Sequence, residues 1–530
     1  MLHRHRLRRN TAIPVESIVH RTICESPSSR GQGWRRWRKP SAPRRAQAAA
    51  RRRVSAFPKG GESPPTPHGL ALRHRDNPKS GPDKHEKRES REVQIMWRLS
   101  PSPTRPWPVV LLVVLIGLVA AQPVFAQQLV RLTFYYPVGV SGPLARVINE
   151  MVDQFNAEHP NIEVVAVYTG DYDPTMQKVQ TAVMGGNPPD IAVVEISEFP
   201  TLLAMDAIIP LDEYLAQEDP SYFNDFFPAF WENSRYDGKI WAIPFQRSTP
   251  VLYWNKEAFA EVGLDPDRPP RTWDELAEYA ALLTKREGGQ VTRWGVTISG
   301  GWNDWLFEGF VRQNGGKLID FENRSLHLNS PEAVEALEFW VKLTQQMQVA
   351  PPHSTWASTP ADFVAGKTAM LYHSTGILTF LKDSATFDFG VAFMPGKKSY
   401  GAAVGGGNFF IFKNIPKERQ DAAWTFIRWM TTAERAAQWS IASGYIATRQ
   451  SSYEYPQMQA YVARHPEYLV ARDQLQYAYG KAMSPAFQRV REVLKRALDD
   501  ATAGRMTPRQ ALDGAQRQLE MQLRQWLQGN

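Results

Sequence analysis

The sequence predicts an α/β protein of two lobes joined by several short crossings. Three observations point there. Strand and helix patterns alternate with short connections between residues 129 and 195. The pattern changes after residue 244, and neither an internal repeat nor a flexible linker interrupts 127–530. A chain of 530 residues also exceeds the roughly 250–300 at which a single core stops growing.

Taken in order, LVRLTFYYP (129–137) reads as a strand. Leu144, Val147, Ile148, Met151, Val152 and Phe155 then recur at helical spacing. IEVVAV (162–167), a helix over 174–184 and the apolar run IAVVE (191–195) complete a strand–helix–strand unit that implies a largely parallel sheet. VLYWN (251–255), FDFGVAFMP (387–395) and GGGNFFIF (405–412) are further strand candidates. Thr272 with Glu275, Thr431 with Glu434, and Thr507 with Gln510 have the spacing of capping boxes. Ser330 and Pro331 open a helix over 331–346.

Charge and cysteine content exclude several functions. The net charge of +8 is confined to the front of the chain: residues 1–95 carry 23 Lys+Arg and 8 Asp+Glu, whereas 127–530 carry 37 and 46. The folded part is therefore acidic, and the basic average says nothing of nucleic acid. Cys24 is the single cysteine, so an intrachain disulfide, an iron–sulfur cluster and a multi-cysteine zinc site are all excluded. The run VVLLVVLIGLVAA (109–121) is short for a bilayer span but suits a signal-peptide core, with Arg98 and Arg105 before it and Val124 and Ala126 after it. Residues 96–126 thus read as a signal peptide starting at Met96 and cleaved after Ala126, giving a periplasmic protein. Residues 1–95, rich in Arg, Pro and Ser, read as an untranslated or disordered leader.

No enzyme motif is present: the sequence has no GxSxG, HExxH, P-loop or GxGxxG after a strand. Asp171, Asp173, Asp265 and Asp267 sit among Gly and Pro and read as turn residues. No metal or cofactor is expected. The binding candidates lie where open sheets receive ligands, at the carboxyl ends of strands. Glu195 ends the third strand, where it serves equally as a helix-start acid. Tyr172 follows the second strand. Gly405-Gly406-Gly407 brings backbone N–H groups close to an anion or permits a bend. Trp302, in GWNDW (301–305), offers an indole face to a sugar, a glycerol backbone or a cation. Arg491 falls inside the apolar stripe Phe487, Val490, Leu494, Leu498 and Ala501 of a late helix, so its guanidinium needs an internal partner or an anionic ligand.

These segments, with PFQRSTPVLYWNKEAFAEVGLDPDRPPRTWDEL (244–276), GGNPPDIAVVE (185–195), VGGGNFF (404–410), SGYIAT (443–448) and TPRQALD (507–513), resemble the extracellular solute-binding proteins of ABC importers, family 1. Within them, the resemblance is to the binders of sn-glycerol 3-phosphate and glycerophosphodiesters. It implies a type II periplasmic-binding-protein fold with ligand in the interlobe cleft, an N-lobe of 127–243 plus 402–437 and a C-lobe of 244–401 plus 438–530. It also implies a monomer, not an enzyme, that delivers a small molecule to permease subunits.

By matching positions, the resemblance puts Tyr172, Glu195, Ser248, Trp302, Ser374, Gly406, Tyr445 and Arg491 at the ligand. Glu195 would take glycerol hydroxyls; Arg491, Ser374, Tyr445 and the Gly406 amide would take phosphate oxygens. Two departures stand out. Arg247 replaces a small hydroxyl residue and joins the expected contacts, and YYPVGVSGP (135–143) replaces a Trp-His opening. The competing reading is the same fold around a neutral oligosaccharide, with Arg491 structural; a periplasmic phosphodiesterase is the third.

Overall fold

The computed structural model describes residues 129–529; the expected leader, the expected signal peptide and Cys24 lie outside the described residues. The first lobe is built on strands β1 (Val130–Tyr136), β2 (Ile162–Tyr168), β3 (Ile191–Glu195) and β4 (Ile243–Ser248). The second is built on β5 (Pro250–Asn255), β6 (Thr297–Ile298), β7 (Met370–Ser374) and β8 (Phe389–Ala392). The chain then returns to the first sheet as β9 (Gly405–Ile411). The spatial orders are β2-β1-β3-β9-β4 and β6-β7-β5-β8.

The parallel expectation holds for β1, β2 and β3. The strands that arrive after a crossing run the other way: β9 is antiparallel to β3 and to β4, and β5 is antiparallel to β7 and β8. A crossing strand enters its sheet from the cleft side, which reverses its direction. The first crossing lies at Ser248–Pro250, so β4 belongs to the first sheet throughout.

Helix α1 (Leu144–Glu158) buries all six residues of its apolar stripe, Leu144, Val147, Ile148, Met151, Val152 and Phe155. They pack with Phe134, Phe409 and Phe426 in the core of the first lobe. Each such side chain contributes roughly 1.5–3 kcal/mol when fully buried. Helix α2 (Tyr172–Met184) starts on Asp171, whose carboxylate accepts the Tyr172 N–H at 2.6 Å. Helices α3 (Asn303–Gln313) and α4 (Phe487–Thr502) pack into the core of the second lobe with Trp273, Leu337 and Trp340.

The helix starts differ in detail from their spacing. Thr507 and Gln510 form a reciprocal capping box. Thr272 accepts the Glu275 N–H at 3.2 Å, but the Glu275 carboxylate turns to the Arg271 N–H instead. At 431–434 the cap is Thr432, one residue later than the spacing suggests, because Thr431 bonds back to the Ile427 carbonyl. The helix from Pro331 is regular to Val341 and ends in a π turn over Lys342–Gln346.

Candidate functional site

The register of the first sheet assembles one wall of a cavity. Gly407 faces Glu195 on β3, while Gly405 faces Ser248 and Gly406 faces Arg247 on β4. The carboxyl ends of β3 and β4 therefore meet the amino end of β9 at one place. Gly406 has φ +107°, and a Cβ there would lie 1.6 Å from the Gln246 carbonyl oxygen. Only glycine permits this approach. Tyr172, at the start of α2, reaches the same wall and donates its hydroxyl to Gln246 Oε1 at 2.8 Å.

The cavity is narrow and partly open to solvent, with a volume of about 30 Å³, room for roughly one or two waters. Tyr172, Glu195, Ser248, Trp302, Ser374, Gly406 and Tyr445 all line it. Ser374 ends β7 beside the first crossing, and its Oγ accepts the Gly376 N–H at 3.0 Å. Tyr445 is 3 % exposed and stacks on Trp439; burial raises the pKa of its phenol well above the usual range, with the hydrogen bond to Tyr172 opposing and the Asp171 charge adding to the effect. Glu195 starts a helical turn and faces the cavity. One carboxylate oxygen accepts the Ser197 N–H at 2.9 Å, capping a short helical turn, and the group lines the cavity.

Two arginines singled out by the sequence are not among the lining residues. Arg491 on α4 forms an ion pair with Asp173 and lies with its guanidinium 4.0 Å from the ring centre of Trp302, which does line the cavity. Arg247 lies on the opposite side of β4 from Gln246 and Ser248, as strand alternation demands. It is fully buried, donating to the Phe230 carbonyl at 2.9 Å and to Asn408 Oδ1 at 2.5 Å. Burial lowers its pKa to about 9.

Sequence reasoning missed Lys481, the amine that lines the cavity. Its Nζ lies 3.1 Å from Glu195 Oε1, with side chains 2 % and 5 % exposed, and 4.8 Å from the Trp302 ring centre. Asn233 clamps its backbone with two bonds of 2.9 Å. Lys481 sits in the irregular stretch before α4, where no periodicity marks a residue. Trp305, the second tryptophan of GWNDW, also lines the cavity, as do Trp356, Gly139 and Val140, which were not singled out. Two further buried carboxylates stand beside this region: burial pushes Glu198 and Glu308 up to about 7, with Glu195 adding to the effect at Glu198. Among the described residues no group of three His, Cys, Asp or Glu is placed to hold a metal ion, and no helix is long and apolar enough to cross a membrane.

Two lobes around a small polar and aromatic cavity have the architecture of a protein that captures a solute. The sequence profile of the bacterial extracellular solute-binding proteins matches residues 150–466. The sn-glycerol-3-phosphate-binding periplasmic protein UgpB of Escherichia coli strain K12 is 28 % identical over 412 residues, covering 74 % of this chain and 92 % of that one. Among solved structures, UgpB from Mycobacterium tuberculosis in complex with glycerophosphocholine superposes with TM-score 0.66 at 24 % identity, covering 74 % and 98 % of the two chains. MalE from Bdellovibrio bacteriovorus bound to maltotriose does so with TM-score 0.64 at 22 % identity, covering 74 % and 100 %. The chain belongs to the bacterial extracellular solute-binding proteins, which bind small molecules and work with ABC permease subunits. Its fold is the type II periplasmic-binding-protein fold.

Proposed function

We propose that the cleft binds sn-glycerol 3-phosphate or a glycerophosphodiester, that the mature chain after Ala126 does so in the periplasm as a monomer, and that it hands the ligand to a permease without catalysing a reaction. The observation that carries this reading is the Lys481–Glu195 pair at the wall of the cavity, beside Ser374 and the Gly406 backbone. A lysine ammonium facing small donors suits phosphate oxygens, and a carboxylate next to it suits hydroxyl groups. Glu195 then has glycerol oxygens to accept from, while Lys481 keeps the carboxylate from repelling the phosphate. Arg491, carried on Trp302, adds positive potential from behind the lining or swings from Asp173 to the phosphate when ligand enters. In this reading Arg247 is a structural residue.

A thermal-shift panel on the purified chain tests the reading. Ligand at 100 times its Kd stabilises by about 2.7 kcal/mol. Glycerol 3-phosphate and glycerophosphocholine should raise Tm and maltose should not; a shift with maltose alone overturns the phosphate assignment. Incubation with either ester should release neither inorganic phosphate nor choline.

A further inference from the structure

The loop at 137–142, where the sequence departs from the relatives, has a matching piece on the other lobe. Trp356 lies in the proline-rich stretch between the helix ending near 346 and the one over Thr359–Val364. Its indole N–H crosses the cleft and donates to the Gly139 carbonyl at 3.0 Å. Both residues line the cavity. Gly139 cannot be replaced without moving its neighbours, because a Cβ there would sit 2.6 Å from the Tyr172 ring. The Gly139 backbone is thus pressed against one wall of the cavity and bonded to the other.

Trp356 is held in place from its own lobe. Its ring stacks on His373 with centroids 3.6 Å apart, and it lies 6.2 Å from Trp305. His373 Nε2 donates to the Trp356 carbonyl at 3.2 Å while Nδ1 accepts the Ser374 N–H at 2.9 Å. Ser374 is itself a lining residue, so one imidazole ties the position of Trp356 to that of a hydroxyl at the site. The preceding loop is fixed by Ser354, which accepts the Gly300 N–H at 2.9 Å and donates to the Ile298 carbonyl at 3.1 Å.

We propose that Trp356 is a specificity-determining residue with two separable actions. Its ring is the wall that ends the cavity on the Gly139 side, limiting the ligand to a compact glycerol phosphate ester. Its N–H holds the lobes closed over that ligand. The size limit rests on the proposed function; the closing bond does not. A rigid indole anchored on a second ring presents a fixed surface, so a ligand extending past it has to displace the bond to Gly139.

The experiment is calorimetric titration of the full chain and of Trp356→Phe and Trp356→Ala with glycerol 3-phosphate, glycerophosphocholine and maltotriose. Trp356→Phe keeps a ring but not the donor, so it should weaken both esters by one common factor of about three to tenfold. Trp356→Ala removes the wall, so it should weaken glycerol 3-phosphate by about tenfold or more while shifting the preference toward the larger ligands. Small-angle scattering of the ligand-free proteins gives a readout independent of ligand identity: Trp356→Phe should have the larger radius. Affinities and their ratios unchanged in both variants, with unchanged scattering, overturn the proposal. Should the unmodified chain prefer maltotriose, the phosphate reading and the size limit fail together. The closing bond then stands or falls on the scattering and on the Trp356→Phe affinity.

Discussion

The two walls of the cleft are made of different material. On the first lobe, groups come from the ends of strands: Glu195, Ser248 and the backbone of Gly406, with Tyr172 one turn of chain away. Their positions are fixed by sheet register, so they offer polar contacts of set direction. On the second lobe the wall is mainly indole, from Trp302, Trp305 and Trp356, set on α3 and a loop, with the Ser374 hydroxyl at the end of β7 beside them. Rings offer area and shape but little direction. Lys481 enters at the seam between them, bonded to the first wall through Glu195 and lying near the Trp302 ring of the second. In the proposed reading the strand-end wall sets which polar groups a ligand carries, and the indole wall sets how large it is.

The sharpest way to break this division is to remove the charge at the seam. Lys481→Met leaves Glu195 buried without its partner and should cost about 2–5 kcal/mol of phosphate-ester affinity. The double variant Lys481→Met with Glu195→Gln removes the orphaned carboxylate. It should regain the melting temperature and still bind no ester, which calorimetry and a thermal melt together would show. Next comes Arg491→Ala, which strips the cation from Trp302 and should cost about 1.5–3 kcal/mol of affinity. An unchanged Kd would confine Arg491 to its ion pair with Asp173.

Arg247 sharpens the comparison from the other side. If the wall is set by strand alternation, Arg247→Met should leave ligand affinity within about twofold. Its effect should fall on stability, by about 1–3 kcal/mol, through the partners it leaves at Phe230 and Asn408. A large loss of affinity with an unchanged Tm would return Arg247 to the ligand.

The smallest expected effect is a pH dependence. Glu198 and Glu308 have pKa values raised by burial to about 7. The stability each contributes is fully present below the unfolded value near 4.5 and is lost as pH rises through 7. Ionisation of Glu308 also adds negative charge near Lys481, so affinity for glycerophosphocholine, whose own phosphate keeps one charge, should weaken several-fold between pH 6 and pH 8.5. Glu308→Gln should flatten both trends, read by melts and titrations at each pH.

Much of this arrangement was legible in the sequence, and the exceptions have physical causes. The apolar stripes of α1 and α4 gave their buried faces through a 3.6-residue period. Glu195 could be placed because a strand's carboxyl end is where an open sheet receives ligand. Arg247 joined the expected contacts because it replaces a small hydroxyl residue of the relatives, and a period of two sends it to the opposite side from Ser248. Lys481 and Trp356 lie in irregular chain, where only tertiary contacts decide which way a side chain points. Antiparallel entry of β5 and β9 follows from the crossings, which local patterns do not encode.

The most direct measurement is calorimetric titration of the full chain with glycerol, glycerol 3-phosphate and maltose, repeated for Lys481→Met. The account predicts binding of glycerol 3-phosphate alone, and its loss in the variant. Equal binding of the ester by both proteins, or preference for maltose, would contradict it.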